Sequence, residues 1–300
     1  KLRGVYKHAW SRNQLALRTL GGVLDTLEAR GIEALVVKGA GLIADYYRDA
    51  GARPMGDLDV VVRPAAARAA FAALRAAGWS TWTGEPERYV PVCHAHTFTR
   101  GGEIELDLHW FVLMLDCRAG ADDSFWRGAV TTTAGGRAVR TLDAAAHVVH
   151  AIVHGRVWNP LPGIRWVADV VTVIRAAPAL DWDRVVALSL ERRLGRIVGE
   201  SLAYLVERFR VTVPPAVLAT LEARRAKVAW RGEHFSRPDE RRHTFASNVG
   251  LMLREYSWLA RRAAPWERPG LLVRFLQVRY RKERVADLVG TLVAKVAHRA

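Results

Sequence analysis

The stretch Arg53-Pro54-Met55-Gly56-Asp57-Leu58-Asp59-Val60-Val61-Val62 constrains this chain more than any other. Proline and glycine close a loop, and an alternating run then opens a strand. Side chains two apart on a strand leave the same face, so Asp57 and Asp59 stand together while Leu58 and Val60 point into a core. Two adjacent carboxylates repel and call for a cation. A hard divalent ion takes oxygen ligands of this kind and keeps sites open for phosphate oxygens.

A second alternating run, Glu103-Ile104-Glu105-Leu106-Asp107-Leu108-His109, sets Glu103, Glu105, Asp107 and His109 on one face. If the two strands are neighbours, Asp107 joins Asp57 and Asp59 and completes a site for two metal ions, of the kind that clamps both oxygens of an in-line displacement. His109 shares that face, where it could bind phosphate or assist proton transfer. Upstream, the apolar run Ile32 to Val37 reads as a buried strand, followed by the turn Lys38-Gly39-Ala40-Gly41 and the start of a helix at Leu42 to Tyr47. A glycine-rich turn opening a helix presents backbone N–H groups to phosphates. Lys38 adds a point charge there, and Arg53 could add another.

The remaining pattern up to about residue 142 is helices over a mixed sheet. An amphipathic helix is expected over 8–30, with Leu17, Leu20, Leu24 and Leu27 on one stripe and Gly31 at its end. Pro64 opens an alanine-rich helix stopped by Gly78, strands recur near 89–99 and 103–110, and 129–142 reads as a hairpin around Gly135-Gly136. Beyond that point helical spacing dominates: 147–154, 164–175, 182–209 with a break near Gly195, 215–230 and 271–296. Residues 231–245 read as a polar, charged loop. The expected architecture is therefore α+β, with a mixed-sheet core over 1–142 and a helical, basic region over 143–300.

The net charge of +15 is unevenly placed. Residues 1–140 hold 18 Lys/Arg against 15 Asp/Glu, and residues 141–300 hold 27 against 15. A field like this favours anionic partners such as a nucleoside triphosphate, RNA, an acidic peptide or a membrane surface. No stretch approaches the roughly 18 apolar residues of a spanning helix, so stable membrane insertion is not expected. Cys93 and Cys117 are the only cysteines. Two in a chain this long make no disulfide framework, and a reducing cytoplasm is the expected compartment. No P-loop, His-Glu-x-x-His or Gly-x-Ser-x-Gly motif is present.

Val37-Lys38-Gly39-Ala40-Gly41-Leu42, Tyr46-Tyr47 and the Arg53 to Val62 stretch together resemble the opening motifs of an uncharacterised nucleotidyltransferase family of the polymerase-β-like superfamily. Glu105-Leu106-Asp107-Leu108-His109-Trp110 is similar to its third-acid strand, and the likeness continues through His147 to His154, Trp166-Val167-Ala168-Asp169 and Asp181-Trp182-Asp183. It runs from about residue 15 to beyond 210. The resemblance implies a magnesium-dependent transfer of a nucleoside monophosphate from a nucleoside triphosphate such as ATP. In it Asp57 and Asp59 match the paired metal ligands and Asp107 the third carboxylate. The turn carries Gly39-Ala40 where the superfamily usually has Gly-Ser.

Relatives of this type are met in peptide natural-product pathways, which makes a modified peptide or small molecule the expected acceptor. RNA, with tRNA as the obvious case, is the alternative that the charge favours, and a non-catalytic nucleotide-binding descendant is a third. Three other features are expected to be structural. His147, His150 and His154 share one helix face, Cys93-His94-Ala95-His96 lies in a strand, and the basic amphipathic helix over 271–296 packs with a solvated side.

Overall fold

The computed structural model describes residues 2–297 apart from 103, 115–116, 158–162, 224–248, 251, 254–255, 258–259 and 261–262, with side chains of 295–297 also outside the description. The polar stretch 231–245 and the end of the helix expected over 215–230 therefore lie outside the described residues.

The chain opens with α1 (Leu2–Glu28), longer at its start than the apolar stripe alone suggests. It buries Asn13, Ala16, Leu17, Leu20, Val23, Leu24 and Leu27, and ends where Gly31 takes a left-handed φ of 65°. Strand β1 (Ala34–Val37) runs directly into α2 (Lys38–Leu42), whose last turn widens to π geometry over Ile43–Tyr47. The Lys-Gly-Ala-Gly segment is thus the first helical turn itself. Strand β2 (Asp57–Val62) follows, then a 3₁₀ turn at Pro64–Ala66 and α3 (Ala67–Ala76).

The strand expected near 89–99 is only half realised. Residues Pro86–Val92 form a 3₁₀ segment, and β3 is confined to Ala95–Phe98. Pro86 and Pro91 each lack an N–H, which leaves little ladder to build before residue 92. Strand β4 (Glu105–His109), the short α4 (Asp123–Arg127) and the hairpin β5 (Val130–Ala134) and β6 (Arg137–Thr141) complete the sheet region.

The six strands lie in the order β3-β4-β2-β1-β6-β5. β1 pairs antiparallel with β2 and parallel with β6, while β2 pairs parallel with β4. Each face of this mixed sheet covers a different core. Leu58, Val60, Val62, Leu106 and Leu108 pack with α1 and α3 on one side. Leu35, Val37 and Val61 pack on the other against α5 (Ala144–Val157), α6 (Arg165–Ala176), α7 (Trp182–Glu191), α8 (Gly195–Phe209) and α9 (Pro215–Ala223). Asp57 and Asp59, in alternation with Leu58 and Val60, stand on the side of the helical half.

The single C-terminal helix expected over 271–296 is two helices, α10 (Arg268–Tyr280) and α11 (Val285–Ala297). Arg281 takes a left-handed φ of 49° between them. Leu271 and Phe275 of α10 join the core on the α1 and α3 side. Glu283 then caps the docking by accepting from Thr83 Oγ1 (2.9 Å) and the Gly84 N–H (3.1 Å). Among the described residues no helix is long and apolar enough to cross a membrane.

Candidate functional site

The site is built by the parallel register of β2 and β4, which sets Asp59 directly opposite Asp107 and Asp57 opposite Glu105. Glu105 is exposed, Asp57 and Asp107 are half-buried and Asp59 is 2% exposed, so the acids descend from a solvent-facing mouth to a buried floor. Thr97 on β3, paired with Asp107, donates its hydroxyl to Asp107 Oδ1 at 2.6 Å and fixes that carboxylate. His109, one pair deeper, reaches back to Asp59 Oδ1 with its Nε2 at 3.0 Å. Asp59, Asp107 and His109 present ligand atoms that all lie within 4.8 Å of one another. Asp57 lies on the same face outside that trio.

Lys38 enters from the end of β1, on the other side of β2. The antiparallel pairing places Val37 opposite Asp59, and the chain turns there so that Lys38 Nζ sits 2.5 Å from Asp59 Oδ1. Its backbone pays for this position with a φ of 51°, a left-handed conformation that a non-glycine residue rarely takes. The two glycines that follow have ordinary φ but no room for a side chain. A methyl group at Gly39 would come within 2.7 Å of Arg53 Nη1 and Met55 Cγ, and one at Gly41 would meet the Thr141 hydroxyl and, at 3.0 Å, the Val36 carbonyl. Close packing of the turn against the sheet and α5 therefore requires glycine here.

Arg53 is 7% exposed and is engaged by a residue that alternation could not locate. Its Nε and Nη2 donate to Asp169 Oδ1 and Oδ2 of α6 at 2.7 and 2.9 Å, a two-bond clamp between the loop before β2 and the helical half. Tyr47 donates its hydroxyl to Asp169 Oδ1 at 2.8 Å. Asn13 of α1 pins the same loop, donating to the carbonyls of Ala50 and Arg53 and accepting from the Met55 N–H at 3.1 Å. Asn13 is a residue that sequence reasoning missed; its signal is a polar residue one turn before Leu17 on the apolar stripe. Asp169 belongs to the Trp166 to Asp169 motif, but nothing in the sequence names its partner.

The electrostatics of the floor favour a cation. Burial pushes the Asp59 carboxyl above its ordinary value, against the downward pull of Lys38 and Arg53. Burial and the nearby Asp59 charge raise Asp57 as well, opposed by Lys38. Both carboxylates are thus costly as anions and would gain from an added positive charge. The histidines respond in the opposite sense. Burial, then the Lys38 charge, pushes His109 down to about 3, so its ring is neutral. His94 packs beside it with ring centres 5.4 Å apart. On α5, His150 and His154 stack at 5.8 Å, both held well below the ordinary value by burial and then Lys38.

Not every histidine of the two suggestive runs belongs here. His147 is tied to Thr141 Oγ1 at 3.2 Å beneath the glycine turn, and its ring meets Tyr46 edge-on. His96 points to the opposite core, among Phe71, Trp82 and Phe98. The Cys93 to His96 run is therefore split, with His94 next to His109 and His96 behind the sheet.

A family model described as an uncharacterised nucleotidyltransferase matches residues 1–210, which span α1 through α8 and hold every side chain of the site. No curated protein matches the chain. With seven-tenths of its length matched, the α+β chain belongs to this uncharacterised nucleotidyltransferase family.

Proposed function

We propose that this protein transfers a nucleoside monophosphate from a nucleoside triphosphate to an acceptor, using two divalent ions, magnesium with the nucleotide among them. The register that sets Asp59 against Asp107, with Asp57 on the same face, carries this reading. The donor set fits such ions, because buried oxygen ligands with raised proton affinity are stabilised by a dication. When bound, divalent ions would neutralise the triphosphate and polarise the reacting phosphate.

In this proposal Asp57 and Asp59 hold the nucleotide's ion and Asp107, oriented by Thr97, completes the second position and helps take the acceptor proton. Lys38 leaves Asp59 for the triphosphate, and the backbone at Gly39 approaches the phosphates closely. Arg53, with Nη1 against Gly39, holds that turn in place through its clamp on Asp169. Attack on the α-phosphate is in line and pyrophosphate leaves. Positioning and charge stabilisation supply most of the acceleration. The setting we propose is the cytoplasm, the expectation for a chain of this length with two cysteines.

The acceptor we propose is a modified peptide or small molecule. RNA is the second reading, favoured by 27 Lys/Arg against 15 Asp/Glu in residues 141–300. The test incubates the protein with magnesium and each α-labelled nucleoside triphosphate, with and without cell extract. Label should move to an acceptor and be lost, by on the order of 10²–10³-fold or more, in Asp57→Asn and Asp59→Asn. Transfer to RNA with steep salt dependence would establish the second reading. Magnesium-dependent nucleotide binding without transfer, whatever extract is added, would make this a binding descendant of the fold.

A further inference from the structure

We propose that one of the two metal positions has a nitrogen ligand, His109, and therefore takes a first-row transition dication such as manganese in preference to magnesium. This rests on the metal-dependent reading above and adds to it the identity of one ion. It starts from the trio Asp59, Asp107 and His109, whose ligand atoms lie within 4.8 Å of one another, a spread that one ion can bridge with small side-chain adjustments.

The three donors come from two neighbouring strands and approach from different directions. Asp59 and Asp107 face each other across the parallel pair, and His109 descends from the position opposite Val61. His109 Nε2 and Lys38 Nζ both lie on Asp59 Oδ1, at 3.0 and 2.5 Å. That oxygen is already the point where positive charge and donors collect, and the ammonium stands where a dication would be drawn. A structural histidine needs only one partner. This one is also in reach of a second carboxylate, which Thr97 holds still from its far side at 2.6 Å.

Donor chemistry then selects the ion. Magnesium dehydrates reluctantly and prefers an all-oxygen octahedron. Imidazole suits zinc and the other first-row transition ions, and manganese accepts it beside carboxylates. Asp57 with Asp59 offers oxygen alone, and that position remains suited to the magnesium that accompanies the triphosphate. The two positions therefore differ by one nitrogen. For His109 to bind through Nε2, its proton moves to Nδ1, and the hydrogen bond to Asp59 is replaced by a shared ion.

The experiment is pulsed electron paramagnetic resonance of the full chain titrated with manganese(II). A directly bound imidazole should give nitrogen hyperfine coupling. The coupling should survive about a hundredfold excess of magnesium, and His109→Gln should lose it along with roughly tenfold or more in manganese affinity. His94→Gln should keep it. Manganese bound through Asp59 and Asp107 with no nitrogen coupling would overturn the inference while leaving the carboxylate site intact. Coupling that persists in His109→Gln would overturn it too. No manganese binding at all, or binding unaffected by Asp59→Asn, would overturn the metal reading beneath it. Should His109→Gln fail to fold, the presence or absence of nitrogen coupling in the unmodified chain and in His94→Gln decides.

Discussion

Arg53 and Asp169, 116 residues apart in the chain, meet in a buried pair of parallel hydrogen bonds that joins the loop before β2 to helix α6. Asp169 also accepts from Tyr47, so the loop before β2, the π turn and α6 share one carboxylate. Both partners are buried, and removing either leaves an uncompensated charge. Asp169→Ala is expected to cost about 3–5 kcal/mol in urea unfolding. Arg53→Lys should recover little of the loss from Arg53→Ala, since an ammonium cannot reproduce the two-bond fork. Wild-type stability in Asp169→Ala would show that the clamp does not hold the halves together.

Lys38 competes for the oxygen that a metal ion would use. In Lys38→Met, divalent-ion affinity without nucleotide should rise because the ammonium on Asp59 is gone. Nucleotide affinity with saturating magnesium should fall roughly 10–100-fold, the value of a charged hydrogen bond to phosphate. Calorimetric titration reads both. Two shifts of the same sign would show that Lys38 does not exchange one partner for the other.

Glycine at 41 is a packing requirement, whereas glycine at 22 is not. Gly41→Ala should cost about 1–3 kcal/mol, because the new methyl meets the Val36 carbonyl and the Thr141 hydroxyl. Gly22→Ala, in the middle of α1 with nothing within 4 Å, should stabilise by about 0.5–1 kcal/mol through helix propensity. Thermal melts of the two variants should therefore move in opposite directions.

Acid should weaken the fold through its buried histidines. Burial, opposed by Asp107, lowers His96 to about 4, and burial with Arg53 nearby lowers His147 to about 3, both from 6.5. A histidine lowered in the folded state is protonated first in the unfolded chain, so its contribution is complete above 6.5 and is lost as pH falls toward the folded value. At about pH 5.5 each of these two should cost roughly 1 kcal/mol. Asp57 and Asp59, raised by burial, act in the opposite sense, because their protonation favours the folded state. Urea midpoints measured from pH 7.5 to 5 should decline, and His147→Asn should flatten the decline if it folds. A flat profile in the unmodified protein would contradict the burial of these rings.

Strand β2, the third acid and the glycine turn could be read from the chain because their signals are local. Alternation at period two puts Asp57 with Asp59 and Asp107 with His109 whatever the strands pair with. The register of β2 against β4 is a different kind of fact. A slip of two residues would keep every side chain on its face and still set Asp59 against Glu105, and only the packing of Leu58, Val60, Leu106 and Leu108 over α1 and α3 decides between them. Asp169 was visible as a motif residue, yet its attachment to Arg53 depends on how α6 is laid across the sheet. The same holds for the C-terminal helix, where no glycine or proline between 271 and 289 marks the break at Arg281. Its break and the docking of Leu271, Phe275 and Glu283 follow from contacts with residues some 200 positions earlier. Sequence alone determined which residues share a face, since that follows from backbone geometry over a few positions. The tertiary structure decided which faces meet, since that depends on burial summed over distant segments.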